Sequence, residues 1–419
     1  MEQIKRYPNG LRVVLCQTPG LFSVSTGIYA GVGSADETEG ENGISHFIEH
    51  MMFKGTQKRT AFEIVDAVDS IGAQINAFTT KECTCYYTKS TLDHFETTLE
   101  ILSDLVFHSV YAEEEMEREK GVVREEISMV EDTPDDLVSD LLARACFGDH
   151  PLGRPILGPA ENVSAFTRDQ LFAYVKKNYQ PADLVLSVAG NLTMAEVERC
   201  VEKVLLPNLP DSPGTSPERK AAPLRGPETV FKVKENEQTN LMLAFPGPGF
   251  DDPRTNEFAL LNSVFGGGMS SRLFQTVREK KGLAYSVYSY PSAYQKNGLF
   301  TVYAGVSPKN AEACVRTIAE EIRRFSREGI TRQEFERGKE QLKSAFVFGQ
   351  ENTATIMSVY GKYLLMTDKL FSMEDKVKKI ADLDYDRVQS LAAEMFDLSH
   401  AAAAYVGPEL SQDLVKLLD

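Results

Sequence analysis

Leu184-Val185-Leu186-Ser187-Val188-Ala189-Gly190 reads as an apolar strand closing on glycine, with a helix before it and a short helix after it. Ala401-Ala402-Ala403-Ala404-Tyr405-Val406-Gly407 repeats that ending at the far end of the same 419-residue chain. The likeness extends upstream. Gln74-Ile75-Asn76-Ala77-Phe78 and Cys83-Thr84-Cys85-Tyr86-Tyr87-Thr88 are β-rich and lead into a helix with apolar residues at Leu92, Phe95, Leu99, Leu102 and Val106. In the other half, two aromatic strands over residues 284–290 and 299–304 lead into a helix over residues 311–325. Two halves written to one plan predict an α+β fold of two structurally similar domains, each a mostly antiparallel β-sheet with helices packed mainly on one face.

A length of 419 residues already favours two domains over one core. The boundary is legible in Pro207, Pro210, Pro213, Pro217, Pro223 and Pro227, interleaved with Gly, Ser and charged residues, which suit neither a helix interior nor a central strand. The expected division is therefore a first domain over 1–206, a linker over 207–227 and a second domain over 228–419. No apolar run reaches the roughly 18 residues of a membrane helix. The N-terminus reads as two extended stretches around Asn9-Gly10 and not as a signal peptide, so a cytoplasmic location is expected.

The net charge of -16 argues against a nucleic-acid partner, whose phosphates call for a basic patch. Among charged partners it favours cationic ones, such as basic peptides, although a solubilising surface explains it equally well. The six cysteines are scattered, with no Cys-x-x-Cys pair, and are expected to be reduced packing residues.

The residues that carry chemistry lie in Gly43-Ile44-Ser45-His46-Phe47-Ile48-Glu49-His50-Met51-Met52-Phe53. On a helix His46 and His50 share a face and can offer two imidazoles to one ion, with Glu49 at the edge of that face. This is the zinc-peptidase pattern His-Glu-x-x-His written in reverse. A catalytic zinc uses three protein ligands and leaves a fourth position for water, whose proton a neighbouring unligated carboxylate can take. Glu49 is placed for that task.

A third ligand is sought in residues 116–130, where Met116, Val123, Ile127 and Val130 form an apolar stripe. Glu119 and Glu126 lie seven apart on one face but about 10 Å apart along the axis, so one of them would ligate and the other support. Spacing alone leaves open which.

These stretches resemble the pitrilysin or insulinase metallopeptidases, notably the two-domain bacterial branch related to mitochondrial processing peptidase. The resemblance rests on residues 43–56 and runs on through Gly72-Ala73-Gln74-Ile75-Asn76-Ala77-Phe78-Thr79, the pair Glu119 and Glu126, Gly266-Gly267-Gly268-Met269-Ser270-Ser271-Arg272-Leu273-Phe274 and Arg278-Glu279-Lys280-Lys281-Gly282-Leu283-Ala284-Tyr285. It implies one Zn2+ per subunit held by His46, His50 and Glu126, with Glu49 as base and Glu119 as a supporting catalytic carboxylate. It further implies that an edge strand around Asn76, Ala77 and Phe78 holds the peptide substrate by β-augmentation. Arg278 and Tyr285 would bind substrate and the developing oxyanion, coming from the second subunit of a homodimer. Taken on its own, Tyr285 in an aromatic strand reads as core packing. The implied activity is a zinc metalloendopeptidase acting on unfolded or extended oligopeptides; the competing reading is a non-catalytic scaffold or partner subunit of the same fold.

Overall fold

The computed structural model describes residues 2–215, 219 and 221–418. Pro217 of the expected linker lies outside them. The chain opens with β1 (Glu2–Arg6), β2 (Arg12–Gln17), β3 (Ser23–Ala30), α1 (Ile44–Met52), α2 (Ala61–Asp69), β4 (Gln74–Thr79) and β5 (Thr84–Thr91). It continues through α3 (Phe95–His108), α4 (Glu113–Asp132), α5 (Pro134–Phe147), α6 (Ala160–Ala165), α7 (Arg168–Asn178), β6 (Leu184–Gly190) and α8 (Met194–Val204). The second half begins with β7 (Glu228–Val233), β8 (Thr239–Pro246), α9 (Thr255–Phe265), a π-helical segment (Phe274–Lys280), β9 (Ala284–Ala293) and β10 (Gly298–Val306). It ends with α10 (Ala311–Glu328), α11 (Arg332–Gly349), α12 (Thr353–Thr367), α13 (Met373–Ala381), α14 (Tyr385–Glu394) and β11 (Ala402–Gly407).

The chain folds as two compact units. Unit 1 comprises Met1–Ile127, Pro155–Glu218 and Phe348–Ser372; unit 2 comprises Ser128–Arg154, Arg219–Val347 and Met373–Asp419. The sheet of unit 1 has the order β1-β2-β6-β3-β5-β4 and that of unit 2 the order β7-β11-β8-β10-β9. Strand for strand these are one arrangement, with β1 added at the margin of the first. Each sheet contains a single parallel pair, β2 with β6 and β7 with β11, and is otherwise antiparallel. The predicted α+β class and its two similar, mostly antiparallel sheets describe the fold.

In unit 1, Val13, Leu15, Val24, Ile28, Leu186 and Val188 bury one face of the sheet against α1, α3, α7 and α8. The first turns of α7 and α8 are closed locally, by Thr167 with Gln170 and by Thr193 with Glu196, through reciprocal side-chain to backbone bonds. On the opposite face α12 lies along β2, β6 and β3. Thr353 Oγ1 bonds Ser25 Oγ at 2.9 Å, Ser187 Oγ donates to the Met357 carbonyl at 2.7 Å, and the Arg12 guanidinium reaches Asp368 just past the helix end. The approach is close enough to require glycine on both sides. A Cβ on Gly27 of β3 would stand 2.5 Å from Met357 Sδ, and one on Gly361 of α12 would stand 2.5 Å from the Tyr29 ring.

Unit 2 repeats this with a helix from the other half of the sequence. Leu241, Leu243, Phe245, Phe300, Val302 and Tyr405 face α9, α10 and α14, while α5 lies along β11, β8 and β7 on the other face. A division at residues 207–227 would leave α5 with the first domain and α12 with the second; the compact units exchange them. Physically, β6 and β11 are buried on both faces along their whole length, and such strands need cover on each side. The apolar stripes of α5 and α12 provide it.

Candidate metal centre

Gly43 starts α1 in the left-handed region at φ 101°, where a Cβ would collide with the Leu157 carbonyl. The buried Glu37 carboxylate accepts from the Gly43 and Ser45 amides at 2.8 and 2.9 Å and so caps the positive end of the helix. This fixes the rotation of α1, which presents His46, Glu49 and His50 to one side while Phe47, Ile48, Met51 and Met52 enter the core.

Glu126 on α4 approaches both imidazoles, with Oε2 at 3.7 Å from His46 Nε2 and 3.5 Å from His50 Nε2. One donor atom from each of the three residues lies within 4.8 Å of the others. Zinc bonds of about 2.0–2.2 Å in a tetrahedral site set ligand atoms roughly 3.3–3.5 Å apart. The donor set therefore fits a zinc ion with little movement. Burial, aided by the neighbouring His50, pushes His46 down to about 4, so it is a neutral imidazole ready to ligate. Burial also disfavours the charged form of His50, but the hydrogen bond it donates to Glu119 and the charges of Glu126, Glu119 and Glu49 outweigh it and raise its pKa. Carboxylates converging on two imidazoles make a place that favours a cation.

Glu119 does not reach that place directly. It is buried, with Oε1 accepting from His50 Nδ1–H at 2.8 Å and Oε2 accepting from Lys54 at 2.7 Å. Burial raises its pKa and these two partners, together, more than reverse the effect. The bond to Nδ1 fixes the tautomer in which Nε2 keeps its lone pair toward Glu126. Glu49, at the rim, accepts from Thr79 Oγ1 at 2.5 Å. Burial raises its pKa, partly offset by Thr79 and His50.

Thr79 ends β4, which pairs only with β5 and forms the margin of the sheet. The predicted substrate strand is thus an edge strand whose end touches Glu49. Asn76 is exposed, its side-chain oxygen accepting from the Ala77 amide at 2.8 Å, and Phe78 packs edge-on to Tyr29. Glu37, Lys54 and Thr79 were missed by the sequence reading of the site; Lys54 and Thr79 carried a signal, since each lies in a matching stretch, and Glu37 carried none.

The match with known proteins now follows. The profile described as "Insulinase (Peptidase family M16)" matches residues 12–160, and "Peptidase M16 inactive domain" matches residues 165–342. The uncharacterized zinc protease YmxG of Bacillus subtilis is 43% identical over 96% of this chain and 97% of its own length. The chain belongs to the M16 insulinase family. A further M16 relative, an uncharacterized zinc protease of Streptomyces coelicolor, is 38% identical over 98% of this chain and 91% of its own length. Among solved structures, a peptidase M16 inactive domain from Pseudomonas fluorescens superposes with a TM-score of 0.91 at 22% identity, covering 99% of both chains. A Helicobacter pylori protease gives 0.89 at 23% identity, covering 97% of this chain and 99% of its own. These two carry the M16 fold. The family is one of zinc proteases, and no helix among the described residues is long and apolar enough to cross a membrane.

The remaining two site candidates of this M16 chain lie in unit 2. Tyr285 is 76% exposed, so core packing does not account for it. In the pairing of β9 with β10, Ser286 faces Gly305 and Ala284 faces Val306, which leaves Tyr285 as the extra residue of a bulge. Arg278, on the π-helical segment, is exposed with its guanidinium 5.6 Å from the Tyr285 ring centre.

Proposed function

We propose that this chain is a cytoplasmic zinc metalloendopeptidase that cleaves unfolded or extended oligopeptides. The observation that carries the proposal is the convergence of His46, His50 and Glu126 beside Glu49 and the end of an edge strand. An extended peptide adding to β4 gains main-chain hydrogen bonds that do not depend on its side chains, and the strand leads it toward Glu49. His46, His50 and Glu126 would hold one Zn2+ per subunit, which would supply a Lewis acid and make a water easier to deprotonate. Glu49, kept partly desolvated and oriented by Thr79, takes a proton from the attacking water and delivers it to the leaving amine. Glu119 acts through His50, holding its ring, and is a positioning residue. The six free, buried cysteines suit a reducing compartment.

The proposal extends to a homodimer in which Tyr285 and Arg278 of one subunit serve the metal centre of the other, Tyr285 donating to the developing oxyanion and Arg278 binding a substrate carbonyl. Their exposure, and the bulge that turns Tyr285 outward, support a role toward an incoming group. Glu49→Gln should keep zinc and lose cleavage of an unstructured peptide by at least about 100-fold; unchanged turnover sinks the assignment of the base. Mixing Glu49→Gln with Tyr285→Phe chains should restore one competent site per heterodimer, and no recovery counts against completion by a second subunit.

A further inference from the structure

The net charge of -16 favours cationic partners, and unit 2 contains a place of matching chemistry. Residues of its sheet alternate between two faces. Leu241, Val287, Val302 and Ala304 enter the helical core, so Ser286, Tyr288, Tyr290, Tyr303 and Gly305 stand on the other face, the one that carries α5. There α5 lies along β11, β8 and β7, and the sheet continues past them through β10 to its margin at β9.

That margin is paved with tyrosine. Tyr288 stands directly across from Tyr303, with ring centres 4.9 Å apart and planes 27° from parallel, and the Tyr290 ring follows 6.0 Å along the same strand. Tyr303 is buried and anchored, its hydroxyl donating to the buried Asn240 Oδ1 at 2.6 Å. Tyr288 is 43% exposed, so it offers ring surface to an incoming group. Beside them Gly305 leaves a notch: a Cβ there would lie 2.9 Å from Ser286 Oγ, 3.3 Å from the Tyr303 hydroxyl and 3.7 Å from Gln238 Oε1. All three atoms are oxygens that accept hydrogen bonds.

A carboxylate comes from α5. Ser139 Oγ approaches Met242 Sδ at 3.7 Å, and Met242 is the β8 residue paired with Tyr303. Asp135 is exposed one turn earlier on the same side of α5. Burial and then the Asp135 charge raise the pKa of Tyr288; the same two causes, with Tyr288 itself, push Tyr303 up to about 12. No lysine or arginine among the described residues pairs with Asp135.

Ring faces, hydroxyl and amide oxygens and an unpaired carboxylate together suit a cation that carries hydrogen-bond donors. A planar guanidinium fits better than an ammonium, because it stacks on a phenol ring while donating from its rim. We propose that Tyr288, Tyr303 and Asp135 form a subsite for an arginine side chain of an extended peptide. Because β9 is the margin of its sheet, such a chain reaches Tyr288 from the side. That the peptide is a substrate rests on the proposed peptidase function; the recognition of the guanidinium does not.

The full chain carrying Glu49→Gln, which on the proposed mechanism does not turn peptides over, is titrated with a fluorescent unstructured peptide containing one arginine, and with the same peptide carrying citrulline in its place. Citrulline keeps the shape of the side chain and removes its charge. Anisotropy should show the arginine peptide binding on the order of tenfold tighter. Adding Tyr288→Leu or Asp135→Asn, both at exposed positions, should remove most of that difference by weakening the arginine peptide alone. Tyr288→Phe keeps the ring and should keep the difference. Equal binding of the two peptides, binding of neither, or a difference that survives either Tyr288→Leu or Asp135→Asn overturns the subsite. Cleavage of the same peptides by the chain with Glu49 intact separates the two claims: if neither is cut the peptidase reading fails, and the subsite still stands or falls on the binding difference.

Discussion

Unit 1 and unit 2 share a strand order, an exchanged covering helix and an aromatic-bearing edge strand, yet they differ sharply around the helix that follows their matching strands β3 and β8. Counted back from Met52 and Phe265, the last residues of α1 and α9, His46 and Glu49 stand where unit 2 has Ala259 and Asn262; unit 1 buries His46 and half-buries Glu49 there. Gathering imidazoles and carboxylates in a partly buried place is costly, a cost that a bound cation would offset, and unit 2 gathers no such groups on α9. The comparison teaches that the fold does not depend on the donors. It also says where metal should be felt.

The largest effect follows from that. Zinc at about 1,000 times its dissociation constant should stabilise a unit that binds it by about 4 kcal/mol. Hydrogen exchange of the stripped chain, with and without zinc, should show protection gained in α1 and α4 and none in α9 and α11. Equal protection in both units would break the contrast.

Next in size is the covering helix. Gly27 and Gly361 let α12 approach β3, whereas the exchanged helix of unit 2 places no glycine along α5. Gly361→Ala should therefore destabilise unit 1 by about 1–3 kcal/mol through overpacking against Tyr29, read from denaturant unfolding. A change near zero would mean that α12 shifts outward freely.

Smaller again is the support of His50. Lys54→Ala leaves the ligands untouched but removes the cation that holds Glu119, and zinc affinity measured by chelator competition should fall roughly tenfold. Lys54→Arg should recover part of it. An unchanged affinity would show that Glu119 holds the His50 ring unaided.

How far the sequence announced these features depends on the distance over which each is decided. The repeated strand endings, and His46 and His50 one turn apart, are local patterns and read correctly as two like sheets and one helical face. Glu119 and Glu126 also share a face, but only the placement of α4 decides that Glu126 meets both Nε2 atoms while Glu119 meets the far nitrogen of His50. The stripes of α5 and α12 announce burial without saying against which sheet. Lys54, Thr79 and Glu37 acquire their partners through packing of other segments. Tyr285 taken on its own reads as core because it sits in an aromatic strand, and the bulge that makes it an exception is set by the register of β10.

The smallest effect concerns an ion pair that both units repeat. Seven residues after the end of α1, Arg59 reaches the buried Asp104 of α3 at 2.7 Å; seven residues after the end of α9, Arg272 lies 4.0 Å from the buried Glu321 of α10. Each arginine also meets a second carboxylate: Glu100 accepts from Arg59 at 2.6 Å, and both oxygens of Glu334 accept from Arg272 at 2.8 Å. Burial raises the Glu334 pKa, but Arg272 and the Thr331 amide and hydroxyl outweigh it and bring it down to about 2 from an ordinary 4.5. A carboxylate lowered on folding contributes stability that is complete above its unfolded pKa and is lost as pH falls through its folded one. This contribution to unit 2 is therefore present above about pH 4.5 and fades toward pH 2. Arg272→Met should weaken unit 2 at neutral pH and flatten the part of its acid loss that Glu334 causes, measured as hydrogen exchange of α10 and α11 from pH 5 down to 2.5. An acid profile of α10 and α11 that is as steep in Arg272→Met as in the parent would show that the pair does not set it.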